Sequence, residues 1–138
     1  MILLDTNIIS EMMRQEPNQT VACWMDNQKL SDLFLCTITL AEIHYGLNVL
    51  PLGKRRHQLE TRFSEAVSAL FHNRMLVFDE SAAHLYGVLM SERRALGQPM
   101  HLLDGQIAAI ARANTLSLAT RNTRDFKHCG LTLVNPFE

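Results

Sequence analysis

The chain opens with Met1-Ile2-Leu3-Leu4-Asp5-Thr6-Asn7, an apolar run broken at once by an acid. The run is continuous, not alternating, which is the pattern of a strand covered on both faces. Leu33-Phe34-Leu35-Cys36-Thr37-Ile38 reads the same way, and Leu76-Val77-Phe78, Leu116-Ser117-Leu118-Ala119 and Leu131-Thr132-Leu133-Val134 are shorter candidates. Helical patterns fill the intervals. Leu59, Phe63, Ala66, Val67, Leu70 and Phe71 fall on one stripe at helical spacing. Ala82, Leu85, Tyr86 and Leu89 mark a second helix, stopped by Gly97 with Pro99 beyond it. Ile107, Ala108, Ile110 and Ala111 mark a third, whose small apolar face suits close approach to a sheet. This alternation predicts an α/β domain, a mostly parallel sheet of four to five strands with helices on both faces. Lys54, Arg55, Arg56 and His57 open the first of these helices, where cations oppose the helix dipole. They are expected either in the preceding loop or as a surface kept for a partner.

A length of 138 residues fits one domain, 1–138. The apolar content of 47% is enough for a real core. No segment approaches the roughly 20 apolar residues of a membrane span, and the opening lacks the basic leader of a signal peptide. Cys23, Cys36 and Cys129 stand far apart with no metal-ligand spacing, which predicts reduced, buried thiols and a cytoplasmic location. The net charge of −1 does not suit a general nucleic-acid binder. A polyanionic substrate then needs a local basic patch or metal ions to hold it.

Four acids fall at informative places. Asp5 follows the first strand, Glu42 lies just past the second at the start of a helix, Asp104 opens the helix before the fourth strand, and Asp125 follows that strand. Ligands of open parallel sheets bind outside the carboxyl ends of the strands. Asp104 joins the other three there only if its helix begins at that edge. Each acid also has an ordinary explanation. Asp5 and Asp104 can cap helices, Thr39 and Glu42 form a capping box with Ile38 and Ile43 as its staple, and Asp125 can be a solvated turn residue. Together they point to a site. Clustered carboxylates repel unless they are protonated or share cations, and oxygen-only donors select Mg²⁺ or Mn²⁺ over zinc. Such ions activate water, orient a phosphodiester and stabilise its leaving oxygen. The sequence holds no HExxH helix, GxSxG elbow or GxxxxGK[ST] loop.

Four blocks now stand out together: Met1 through Asn7, Thr39-Leu40-Ala41-Glu42-Ile43-His44-Tyr45-Gly46, Leu103-Asp104-Gly105-Gln106-Ile107-Ala108-Ala109, and Ala119-Thr120-Arg121-Asn122 through Asp125-Phe126. In this order and spacing they resemble PIN domains, and among them the VapC and FitB-type toxins. The resemblance implies a PIN-like α/β/α sandwich and a Mg²⁺- or Mn²⁺-dependent endoribonuclease. It also implies the toxin half of a bacterial toxin–antitoxin pair, a homodimer, and a cognate antitoxin that blocks the active site. By position Asp5, Glu42 and Asp104 match the three main family acids. The fourth falls on Asn122 in some relatives and three residues later, on Asp125, in others. Asp125 is taken as the fourth, with Asn122 as a metal-water or phosphate contact. Asp5 and Asp104 are expected to anchor the ion, with Glu42 and Asp125 completing its shell or holding a second one. Thr6 and Asn7 match polar residues beside the site, though an ordinary first-turn role serves them equally well.

Arg121 and Arg124, with Lys127 and His128, are candidate phosphate contacts, and a solvated loop explains them nearly as well. His44 and His101 read as ordinary helix or loop positions. Met12, Met13, Trp24 and Met25 read as core packing before an exposed stripe. Two other functions compete. A HAD-type phosphatase would use Asp5 as nucleophile, although its usual second acid, two residues on, is here Asn7. A non-catalytic module would bind RNA or a protein with no need of the acids.

Overall fold

Leu3 and Leu4 point to opposite sides of one strand, and both are fully buried. A strand hidden on both faces needs a layer of helices on each, and the computed structural model, which describes Met1–Glu138, supplies them. The strands are β1 (Ile2–Leu4), β2 (Leu33–Cys36), β3 (Met75–Leu76), β4 (Ser117–Ala119) and β5 (Leu133–Val134). All pairings are parallel, in the order β3-β2-β1-β4-β5. Leu4, Leu33, Leu35 and Ala119 face a layer built from α1 (Thr6–Met12), α2 (Gln19–Asp26), α3 (Thr37–Asn48) and α4 (Lys54–Leu70). Leu3, Cys36 and Leu118 face α5 (Glu80–Ala95) and α6 (Leu102–Ala113). Ile107, Ala108, Ile110 and Ala111 of α6 are wholly buried against the sheet, as their small size suggested. The result is the expected α/β/α sandwich. No helix is long and apolar enough to cross a membrane.

The structure moves several boundaries. The second strand stops at Cys36, and Thr37 and Ile38 already belong to α3. A short apolar run does not distinguish a buried strand from a buried helix turn. Here Ile38 packs into the α5–α6 cluster while Ile43 and Leu47 join the opposite one, because α3 starts at the sheet's carboxyl edge and touches both. Val77 and Phe78 lie outside β3; Val77 is exposed and Phe78 meets Tyr86 edge-on at 5.8 Å. Leu70 drops off its stripe onto the surface. Met12, Met13, Trp24 and Met25 pack against the core. Cys36 and Cys129 are buried as expected, but Cys23 is exposed, on the outer face of α2 away from buried Val21.

The cations at 54–57 are helical, not in a loop. Arg56 is explained by its neighbours: its Nε donates to Glu60 Oε1 at 2.7 Å and its Nη2 to Asn48 Oδ1 at 2.9 Å, tying α4 to the end of α3. Gly97, at φ 71°, lets the chain turn out of α5.

Candidate active site

β2 and β3 lie on one side of β1, and β4 and β5 on the other, so the chain reverses its direction of build between β1 and β4. Such switch points leave a crevice at the carboxyl ends of the strands. Asp5 sits in it. Its backbone N–H donates to the Ala119 carbonyl at 2.9 Å, continuing the β1–β4 ladder by one step. The side chain then turns into the crevice with 4% of the residue exposed. Oδ1 accepts from the Thr6 N–H at 2.8 Å, and Oδ2 accepts from Thr120 Oγ1 at 2.7 Å and from Asn7 Nδ2 at 3.1 Å. Asp5 does cap α1, as its ordinary explanation required, and it also floors a cleft of about 600 Å³.

Glu42 and Asp104 line the same cleft. Glu42 is not part of a capping box. The N-cap of α3 is Cys36, so Thr39 is inside the helix, fully buried, with its hydroxyl 3.2 Å from Thr6 Oγ1. Glu42 lies a further turn along, where its Oε1 accepts from Thr6 Oγ1 at 2.7 Å. Asp104 is not a cap either. His101 holds the N-cap position of α6 and Asp104 sits in the first turn, where the helix dipole favours a carboxylate. The helix therefore does begin at the strand-end edge. Gly105 beside it allows α5 to come close: a Cβ there would lie 2.5 Å from Met90 Sδ.

Asn122 lines the cleft and Asp125 does not. The Asn122 N–H donates to Thr120 Oγ1 at 3.1 Å, which joins it to the hydrogen bonds around Asp5. Asp125 is exposed on a 3₁₀ turn, Thr123–Phe126, pinned from below by buried Phe126. Arg93 grips that turn, donating to the Asp125 carbonyl at 2.9 Å and the Lys127 carbonyl at 2.7 Å. Asp125 still acts on Asp104 through its charge. Thr6, Asn7 and Arg121 line the cleft; Arg124 is exposed outside it. The Arg121 guanidinium lies 4.7 Å over the Phe137 ring.

Ser10, Glu11, Arg14 and Phe137 also line the cleft and escaped the sequence reading. Asn7, Ser10, Glu11 and Arg14 follow at helical spacing from the first block, which was the available signal. Glu11 is nearly buried and pairs with Arg14 at 3.0 Å.

Burial pushes the Asp5 carboxyl up to about 6, against the hydrogen bonds from Thr120 and Thr6, and Asp104 and Glu42 push it further. Asp104 is raised too, by burial first, then by Asp125, with His101 opposing and Glu42 adding to the rise. No basic side chain is paired with Asp5, Glu42 or Asp104; the two ion pairs of the molecule are Arg14–Glu11 and Arg56–Glu60. An uncompensated set of oxygen donors suits a hard divalent cation. Asp5, Glu42 and Asp104 line one cleft without closing around an ion. Asp125 lies outside the cleft, and Glu42 Oε1 accepts from Thr6. Mg²⁺ suits this opening, because it keeps most of its waters and takes one or two carboxylates.

The model of the PIN domain matches residues 2–130. The chain belongs to the PIN-domain family. This PIN domain is 44% identical over 138 residues to the plasmid stability protein StbB of Pseudomonas syringae pv. tomato, spanning 100% of the chain and 99% of the relative. It is 41% identical over 138 residues to the VapC ribonuclease Y4jK of Sinorhizobium fredii, again 100% of the chain and 99% of the relative. Toxin FitB of Neisseria gonorrhoeae is 39% identical over 137 residues, 99% of each chain. The crystal structure of FitAcB from the same organism superposes with a TM-score of 0.94 at 39% identity, covering 100% of this PIN domain and 99% of that chain.

Proposed function

We propose that this PIN domain is a divalent-metal-dependent endoribonuclease, the toxin of a toxin–antitoxin pair, which hydrolyses RNA phosphodiesters over Asp5. The observation that carries it is the convergence of Asp5, Glu42 and Asp104 from three elements on one cleft at the sheet's switch point. The names of the relatives, a VapC ribonuclease and a FitB toxin, support the same activity and a cognate antitoxin partner. A homodimer in the cytoplasm completes the proposal, and the buried free thiols Cys36 and Cys129 suit a reducing compartment.

Asp5 and Asp104 would hold the ion, with Glu42 beside them. Bound Mg²⁺ or Mn²⁺ supplies positive charge that relieves the carboxylates, activates water and stabilises the leaving oxygen. The chain's own residues prepare that chemistry. Thr120, Thr6 and Asn7 fix the Asp5 carboxylate, and the Thr6 hydroxyl fixes Glu42. Arg121 and Asn122 line the same cleft and would present donors to the phosphate, while Arg124 and Asp125 lie exposed on the turn that follows. Asn7 donates to Asp5 where a phosphatase would place its second acid, which favours the nuclease over the phosphatase.

The test is cleavage of total cellular RNA by purified, antitoxin-free protein with Mg²⁺, Mn²⁺ or EDTA, beside Asp5→Asn. Discrete fragments that require both metal and Asp5 are expected. Folded protein that cleaves nothing, or cleaves equally in EDTA, overturns the proposal.

A further inference from the structure

We propose that a groove leading from the acidic cleft along α4 is a track for the RNA backbone, with Arg55 and Arg62 as its phosphate contacts. This rests on the ribonuclease reading and adds to it where the strand leaves the site. The cleft over Asp5 is continuous with a hollow of about 310 Å³, and Thr6, Ser10, Arg14 and Glu42 line both. That hollow continues in turn into a third space of about 550 Å³, the two sharing Met13, Arg14, Arg55 and Leu59. Arg62 lines the far end. Arg14 borders all three spaces.

Arg14 on this path is held by Glu11, but two further arginines have no structural use. Arg55 and Arg62 are exposed, and neither forms an ion pair or a side-chain hydrogen bond, whereas Arg56 between them is held by Glu60 and Asn48. Arg55 sits in the first turn of a helix with no side-chain cap and no acid in that turn, where a cation opposes the dipole. Seven residues apart on one helix, Arg55 and Arg62 share a face with their stems roughly 10 Å apart, enough to meet different phosphates. Met13 and Leu59 form an apolar floor between them, suited to sugars and bases.

RNA is the occupant the charges favour. A chain of net charge −1 needs a local basic surface to hold a polyanion, and a strand crossing the acidic cleft has to leave it along an open end. Arg121 stands at one side of the cleft and the arginine groove at the other.

The test uses fluorescent oligouridylates, one long enough to span cleft and groove and one confined to the cleft. Binding is read by anisotropy across salt, on Asp5→Asn protein so that nothing is cut. Arg55→Ala/Arg62→Ala should weaken the long RNA and leave the short RNA and the melting curve unchanged. Two lost phosphate contacts should make the salt slope shallower by about 1.4, so the variant loses about sevenfold less affinity between roughly 50 and 200 mM salt. Arg55→Lys/Arg62→Lys should restore the slope. An unchanged slope for the long RNA, equal weakening of both RNAs, or a loss confined to an acidic protein partner overturns the track. Asp5-dependent cleavage of total RNA by the wild-type protein is scored separately, so failure of the nuclease reading and failure of the track are told apart.

Discussion

Two buried charges, Asp5 and Arg93, sit at opposite ends of the same functional edge and are treated in opposite ways. Arg93 is 6% exposed and has no acid partner, yet it is held by the backbone: Nε donates to the Gln98 carbonyl and Nη1 to the carbonyls of Asp125 and Lys127, all within 2.9 Å. Asp5 is as deeply buried and has three donors, but Glu42 and Asp104 face it and no cation does. The fold can therefore stabilise a lone buried charge with ordinary backbone groups. At Asp5 it leaves the cost of burial uncompensated, with repulsion from Asp104 and Glu42 added to it. Strain tolerated at one place and relieved at another is the signature of a site kept for something that binds.

The largest effect that sharpens this contrast is on activity. Asp5→Asn should lower RNA cleavage by roughly 10³-fold, the scale of a single reacting group, while circular dichroism shows the fold intact. Arg93→Met should come next. It leaves three half-buried carbonyls short of a donor and should cost about 2 kcal/mol in urea unfolding. A cost near zero would break the comparison, since Arg93 would then hold nothing together. The same variant should also slow cleavage, because the turn it grips follows Asn122.

The third effect has the opposite sign. The Asp5 carboxyl titrates at 3.8 in the unfolded chain and at about 6 in the fold, so the native state binds that proton more tightly. Below about pH 4 the carboxyl is neutral in both states and costs nothing; stability is then lost as pH rises from about 4 to about 6, leaving a penalty of about 3 kcal/mol above that. Asp5→Asn removes the penalty but replaces one acceptor oxygen with a donor and so breaks at least one of the three hydrogen bonds; it should still be more stable than wild type by about 1 kcal/mol at neutral pH. The gain should vanish below about pH 4. A variant less stable at neutral pH would show that Asp5 serves the fold first. A last, equally small effect is expected at Gly105→Ala, about 1 kcal/mol by thermal unfolding, because the flexible Met90 side chain that the new methyl meets can move.

The sandwich was legible because its strands are short apolar runs set between helical patterns, and the first of them ends directly in Asp5. What the sequence hid depends on contacts between distant segments. Thr37 and Ile38 read as strand because nothing local shows that α3 spans both clusters. Thr39 and Glu42 have the spacing of a capping box, and only the placement of Cys36 at the N-cap frees them for the site. Asn122 and Asp125 were equally placed by position; the grip of Arg93 on the Asp125 carbonyl helps set which one lines the cleft. Among adjacent cations, Arg56 is spent on Asn48 and Glu60 and Arg55 is left free, a division that no spacing rule contains.

The most direct test of the acidic cleft is the effect of Mg²⁺ on stability at neutral pH, wild type beside Asp5→Asn. An ion bound only to the native state stabilises it in proportion to the logarithm of its concentration once the site fills. The expected result is a melting temperature that climbs with Mg²⁺ in the wild type and stays flat in Asp5→Asn, whose starting value is already higher. A wild type indifferent to Mg²⁺, or an equal climb in both proteins, would contradict an acid cluster held in repulsion for a cation.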